Sequence, residues 1–180
     1  MSQYFDMNRR RFLKTSAAAG ALVMGTYFMG AAPRVLAGVL AQPANDARQA
    51  NLFVALRPDG VVEVTCHRSE MGQQIRPAIA QIVADEMEAD WNMVKVIQGK
   101  GDPKYGDQNT DGSRSIRYNM QRLREMGASV RYMMQHAAAA RWGVAPDTCS
   151  AVQHKVTHTS GKTLSYKELV ADALTFTPPV

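Results

Sequence analysis

The chain has 180 residues, a formal charge of +5 and two cysteines, Cys66 and Cys149. That length allows one domain with a modest core, and two cysteines exclude a disulfide-dense scaffold and any cysteine-cluster metal site. The charge is concentrated at one end: Arg9, Arg10, Arg11, Lys14 and Arg34 precede residue 38 with only Asp6 to oppose them, so the rest is near neutral. No basic stripe is interleaved with aromatics, and nucleic acid is excluded as a partner.

In chain order, Asn8-Arg9-Arg10-Arg11-Phe12-Leu13-Lys14 leads into a weakly apolar run from Thr15 to Ala32, then Pro33-Arg34 and Val35-Leu36-Ala37. A charged start, an apolar stretch and a small-x-small end make a bacterial export signal. The paired arginines resemble the twin-arginine signal, with Asn8 where Ser or Thr is usual. Residues 1–37 are expected to be either a signal cleaved after Ala37 or a retained amino-terminal membrane anchor. The resemblance implies export in the folded state to the periplasm, with attachment to the outer face of the inner membrane if the anchor stays.

Residues 38–50 read as a linker. Leu52 to Leu56 and Val61 to His67 form a hairpin around the turn Arg57-Pro58-Asp59-Gly60, with Val62, Val64 and Cys66 on one side. Pro77 suits the first turn of a helix that carries Ile79, Ile82, Val83 and Met87. Val94 to Ile97 is a strand, and Gly99 to Ser115 a long polar loop. A helix is expected from Ile116 to Trp142, with Met120, Leu123, Met126, Val130, Met133, Met134, Ala137 and Trp142 as its apolar stripe. Gly143 ends it. Val152 to Thr157 is a strand, and Ser165-x-x-Glu168 is a capping box that opens a last helix. Residues 51–174 are thus one α+β domain, a small mixed sheet with two or three packed helices. Residues 175–180 read as a tail or linker that is not tied into a core.

Two stretches stand out. Glu70-Met71-Gly72-Gln73-Gln74 and Gly106-Asp107-Gln108-Asn109-Thr110-Asp111-Gly112-Ser113-Arg114-Ser115 each precede a helical pattern. A helix start offers unpaired N–H groups and a partial positive charge. Gln73 can both donate and accept, Ser113 and Ser115 carry hydroxyls, and Arg114 has a fork that matches phosphate oxygens. Spacing alone leaves two readings open: two ordinary caps, or two sides of one anionic ligand. Elsewhere, His154 and His158 are expected at the surface, His67 and His136 packed or exposed, Glu70 and Glu86 structural, and Cys66 buried. No metal site and no catalytic residue emerges. A Cys66–Cys149 disulfide after export stays open.

Those two stretches, with Ala80-Gln81-Ile82-Val83-Ala84-Asp85-Glu86 between them, resemble the molybdenum-binding large subunit of the xanthine dehydrogenase/aldehyde oxidase family, nearest the isoquinoline 1-oxidoreductase β-subunit branch. The resemblance runs from about Leu52 to about Leu174. It implies that Gly72, Gln73, Gly112, Ser113, Arg114 and Ser115 contact molybdopterin, as the cytosine dinucleotide, shared with a partner chain. The family usually has Gly where this chain has Gln74. It also places the catalytic glutamate far downstream, where no residue here matches. The implied protein is a subunit of an exported molybdenum hydroxylase acting on aldehydes or N-heterocycles. Its partners would be the remaining molybdenum-subunit chain, an iron–sulfur subunit and a cytochrome c subunit. The alternative is a non-catalytic structural or assembly subunit of a periplasmic oxidoreductase complex.

Overall fold

A computed structural model describes residues 47–179. The export signal or anchor expected in residues 1–37 lies outside the described residues. Val62, Val64 and Cys66 are inward on β3 (Val62–Cys66), as their alternation requires, and all are fully buried. β3 pairs antiparallel with β2 (Val54–Leu56), which in turn pairs with β1 (Arg48–Gln49), and runs parallel to β4 (Val94–Gln98) in the order β1-β2-β3-β4. Two residues of the expected linker are therefore an edge strand. A parallel neighbour needs a crossover, and α1 (Ile75–Glu86) supplies it, burying Ile75, Ile79, Ala80, Val83 and Ala84. The α+β class holds.

The expected long helix starts later. A four-residue turn, α2 (Arg114–Arg117), precedes α3 (Met120–Trp142). The break lies at Tyr118 and Asn119. The Asn119 N–H reaches back only three residues, to the Ile116 carbonyl, while its side-chain amide donates to the Ser115 carbonyl at 3.1 Å. Helical winding therefore tightens and stops there. Met120 consequently falls in the first turn of α3 and is 43 % exposed, not part of the core stripe, whereas Leu123, Val130, Met133, Met134 and Ala137 are buried as expected. Gly143 ends α3 in the left-handed conformation (φ 66°).

The expected strand from Val152 to Thr157 is in fact two, β5 (Cys149–Val152) and β6 (Lys155–His158), which join β7 (Thr163–Ser165) in a separate antiparallel sheet. The turn between them is Gln153-His154, both with positive φ (46° and 66°). A two-residue hairpin needs that conformation and normally draws Asn-Gly or Asp-Gly, so the sequence carries no turn signal. His154 is buried, not at the surface. Its Nδ1 accepts from the Asp90 N–H at 3.3 Å, so Nε2 carries the proton and donates to the Gly60 carbonyl at 2.9 Å. Its ring lies 4.5 Å from that of Tyr166, and burial lowers its pKa. These contacts hold the hairpin to the first sheet's turn.

Ser165 and Glu168 form the expected capping box at the start of α4 (Tyr166–Ala173). Phe176 packs partly buried against the core, so the tail is tied down through that residue. Cys66 and Cys149 are both buried and free, without a disulfide. Among the described residues no helix is long and apolar enough to cross a membrane.

Candidate functional site

The two loops singled out in the sequence meet. Met71, Gln73 and Ile75 from one, and Thr110, Asp111, Gly112, Ser113, Ser115 and Ile116 from the other, line a cleft of about 420 Å³. Topology explains the meeting. β3 and β4 run parallel side by side, so the segments that leave their ends, 67–74 and 99–113, emerge together.

The first loop is held by its own side chains. Glu70 accepts the N–H groups of Gly72 at 2.8 Å, Gln74 at 3.0 Å and Arg76 at 3.1 Å. Those bonds, that from Arg76 foremost, lower the Glu70 pKa and keep it charged. Glu70 is thus structural, as expected. Gln73 bridges the loop: its Oε1 accepts from the Met71 N–H at 2.6 Å and its Nε2 donates to the Ser69 carbonyl at 2.8 Å. Each amide atom retains one further hydrogen-bonding site for a ligand. Gly72 has φ 98° with open space on its Cβ side, so a ligand can approach the backbone there. Gln74 has φ 66°. The left-handed conformation explains why glycine suits this position; glutamine keeps the same backbone at a cost on the order of 1 kcal/mol.

The second loop reaches the cleft through Gly112 (φ 49°) and Ser113 (φ 57°). The hydroxyls of Ser113 and Ser115 have no hydrogen-bond partner among the described residues. Arg114 is turned onto Asp111, Nη2 to Oδ2 at 2.9 Å, rather than presenting a free fork.

Neither helix start is the open anion site that its sequence suggests. At α1 the free N–H groups are already taken by the Glu70 carboxylate. At the second loop the helix is a single four-residue turn, whose dipole is small. What remains, beside the Asp111 carboxylate paired with Arg114, is a set of neutral donors and acceptors between the apolar walls of Met71, Ile75 and Ile116. That set fits a flat heterocycle with polar edges, such as a pterin, better than it fits a bare phosphate.

Behind the cleft lies a residue that sequence reasoning missed. Arg68 is 1 % exposed, and its guanidinium reaches from the first loop to the second: Nη1 donates to the Asn109 carbonyl and lies 3.9 Å from Asp107 Oδ2. Its Nε donates to His67 Nε2 at 3.2 Å. His67 is buried between the rings of Phe53 and Tyr105 (centroids 5.0 and 6.3 Å away), and its Nδ1 has no hydrogen bond of ordinary geometry among the described residues. Burial first, then the charges of Arg68 and Arg122, lower its pKa to about 4, with Asn119 and Asp107 opposing. The partners of Arg68 on the second loop, Asn109 and Asp107, lie about 40 residues away, so no local pattern marks it.

The chain is similar to known proteins. A family profile described as molybdopterin cofactor-binding domain matches residues 3–180. The chain is 35 % identical over 166 residues, 92 % of its length, to the membrane-bound aldehyde dehydrogenase [pyrroloquinoline-quinone] of Gluconacetobacter polyoxogenes. It is 34 % identical over 175 aligned positions, again 92 % of its length, to the isoquinoline 1-oxidoreductase subunit beta of Brevundimonas diminuta. It spans about a fifth of these curated relatives, 21 % and 22 % respectively. Among solved structures, the quinoline 2-oxidoreductase of Pseudomonas putida 86 matches with a TM-score of 0.52 at 22 % identity, over 67 % of this chain and 16 % of that one. That likeness shows the fold. With the profile spanning nearly the whole sequence, the chain belongs to the molybdopterin cofactor-binding domain family.

Proposed function

We propose that this domain holds part of a molybdopterin cofactor, in its cytosine dinucleotide form, within a molybdenum hydroxylase that oxidises aldehydes or N-heterocycles. The observation that carries the reading is the meeting of the two loops, Met71–Ile75 and Thr110–Ile116, at one cleft. Gln73 faces the ligand's polar edge with its remaining amide sites, Ser113 and Ser115 donate hydroxyl hydrogen bonds, and Gly72 admits a close backbone approach. Arg114, now paired with Asp111, would leave it to meet a phosphate. When bound, the cofactor's metal centre supplies the two-electron oxidation.

Among the described residues, the one carboxylate that lines the cleft, Asp111, is tied up in an ion pair with Arg114. The reaction therefore draws on further polypeptide of the same family, in this chain or another. An iron–sulfur subunit and a cytochrome c subunit would carry electrons away. Residues 1–37 would direct the protein by the twin-arginine route to the periplasm, where it would stay attached to the inner membrane or be released. The names of the two relatives, an aldehyde dehydrogenase and an isoquinoline oxidoreductase, support both substrate classes.

Extraction of the purified protein with its co-purifying chains tests the cofactor. The expected result is molybdenum, pterin and cytidine monophosphate in near-equal amounts. One relative's name carries pyrroloquinoline quinone, so that quinone is assayed in parallel. Its presence without pterin would overturn the reading.

A further inference from the structure

We infer that Arg68 is the positioning residue of the cleft, the side chain that sets the distance between its two loops. The inference rests on the cofactor reading above and names the residue on which that site's shape depends. Arg68 ends the short segment between β3 and the Glu70 loop, yet its guanidinium grips the opposite wall at the Asn109 carbonyl. One residue further on each side, the Ser69 N–H donates to Thr110 Oγ1 at 2.9 Å. Thr110 and Asp111 then line the cleft. Two consecutive residues of one loop therefore bind two consecutive residues of the other.

The anchor is itself fixed. The Arg68 carbonyl accepts from Gln98 Nε2 at 3.1 Å and from Cys66 Sγ at 3.4 Å, which ties it to the ends of β3 and β4. Its Nε rests on His67, and His67 is clamped by Phe53 and Tyr105. Tyr105 is held in turn by Arg122, whose Nη1 donates to its carbonyl at 3.0 Å. Asp107, the only carboxylate within 4.0 Å of the guanidinium among the described residues, is 3.9 Å away and 47 % exposed. A buried cation with so weak an ionic partner is a poor stabiliser of the fold. Its bidirectional hydrogen bonding is better matched to holding two segments in register. Lysine can keep the charge and one of these bonds but not the fork.

The test compares the full chain with Arg68→Gln and Arg68→Lys. Amide hydrogen exchange is read by segment, together with the pterin release rate and the thermal midpoint. Arg68→Gln is expected to speed exchange in residues 107–115 at least tenfold, to leave residues 149–165 within twofold, and to release pterin at least tenfold faster. Arg68→Lys is expected to recover much of the retention and to fold even if the glutamine variant does not. Unchanged exchange in 107–115, acceleration spread evenly over the domain, or release from Arg68→Lys as fast as from Arg68→Gln would each overturn the inference. If the unaltered protein carries no pterin, the cofactor reading fails, and the exchange pattern still decides the role of Arg68.

Discussion

Replacing Gly127 by valine is expected to destabilise the domain by about 3 kcal/mol and to lower its thermal midpoint by roughly 10 °C. Gly127 sits where α3 crosses α1. A Cβ there would lie 2.5 Å from the Val83 carbonyl oxygen and 2.8 Å from Glu86 Cβ. The first of these is backbone, so no rotamer change relieves it and the two helices must separate. Removing a helical glycine opposes the effect, but a β-branched replacement recovers only roughly 0.3–0.5 kcal/mol. Glu125→Val, on the exposed side of α3, measures the cost of the β-branched side chain alone and is expected to stay below about 1 kcal/mol. Because α1 opens directly from the Glu70–Gln74 loop, the separation should also reduce cofactor content. Equal midpoints for the two variants would contradict the close crossing.

Acid should weaken the domain through His67. Its pKa is about 4 in the folded protein against 6.5 for the free side chain. Between those values the unfolded chain binds the proton that the folded chain refuses, so stability is complete above about pH 6.5 and falls as the pH drops toward 4. The whole shift is worth on the order of 3 kcal/mol. Urea midpoints from pH 7.5 to 4 measure it. His67→Gln can still accept the Arg68 Nε–H through its amide oxygen but cannot titrate. That variant should be less stable at pH 7.5 and decline less steeply across this window than the unaltered protein, with a residual slope from His154 and Glu70. The same slope in both would assign the decline elsewhere, with buried His154, whose pKa is also lowered, as the next group to replace.

Much of this structure was legible in the sequence because its signals are local. The alternation at Val62, Val64 and Cys66, the helical spacing of Ile79 and Val83, Gly143 and the Ser165–Glu168 box each state their element within a few residues. The failures are equally physical. The Gln153-His154 turn takes a glycine conformation without glycine, stabilised by what the His154 ring meets on distant elements. The break before Met120 comes from Asn119 bonding to a carbonyl, which no apolar period records. At the site, the two loops were found by their composition, but their supports were not. Glu70 on the α1 N–H groups and Arg68 across the loops act through geometry that only the folded chain creates. They make the site a prearranged cleft lined mainly by neutral donors and acceptors, where the sequence suggests open helix starts.

The central claim is that the cleft between these loops holds the pterin, and filling the cleft tests it most directly. Ser115→Trp places an indole among Gln73, Thr110 and Ile116, while Ser150→Trp, on the exposed side of β5, controls for the substitution itself. Pterin per chain is measured for both variants and the unaltered protein, alongside their thermal midpoints. The account predicts less than a tenth of the normal pterin in Ser115→Trp, near-normal content in Ser150→Trp, and midpoints within a few degrees. Full pterin content in a folded Ser115→Trp protein would contradict it.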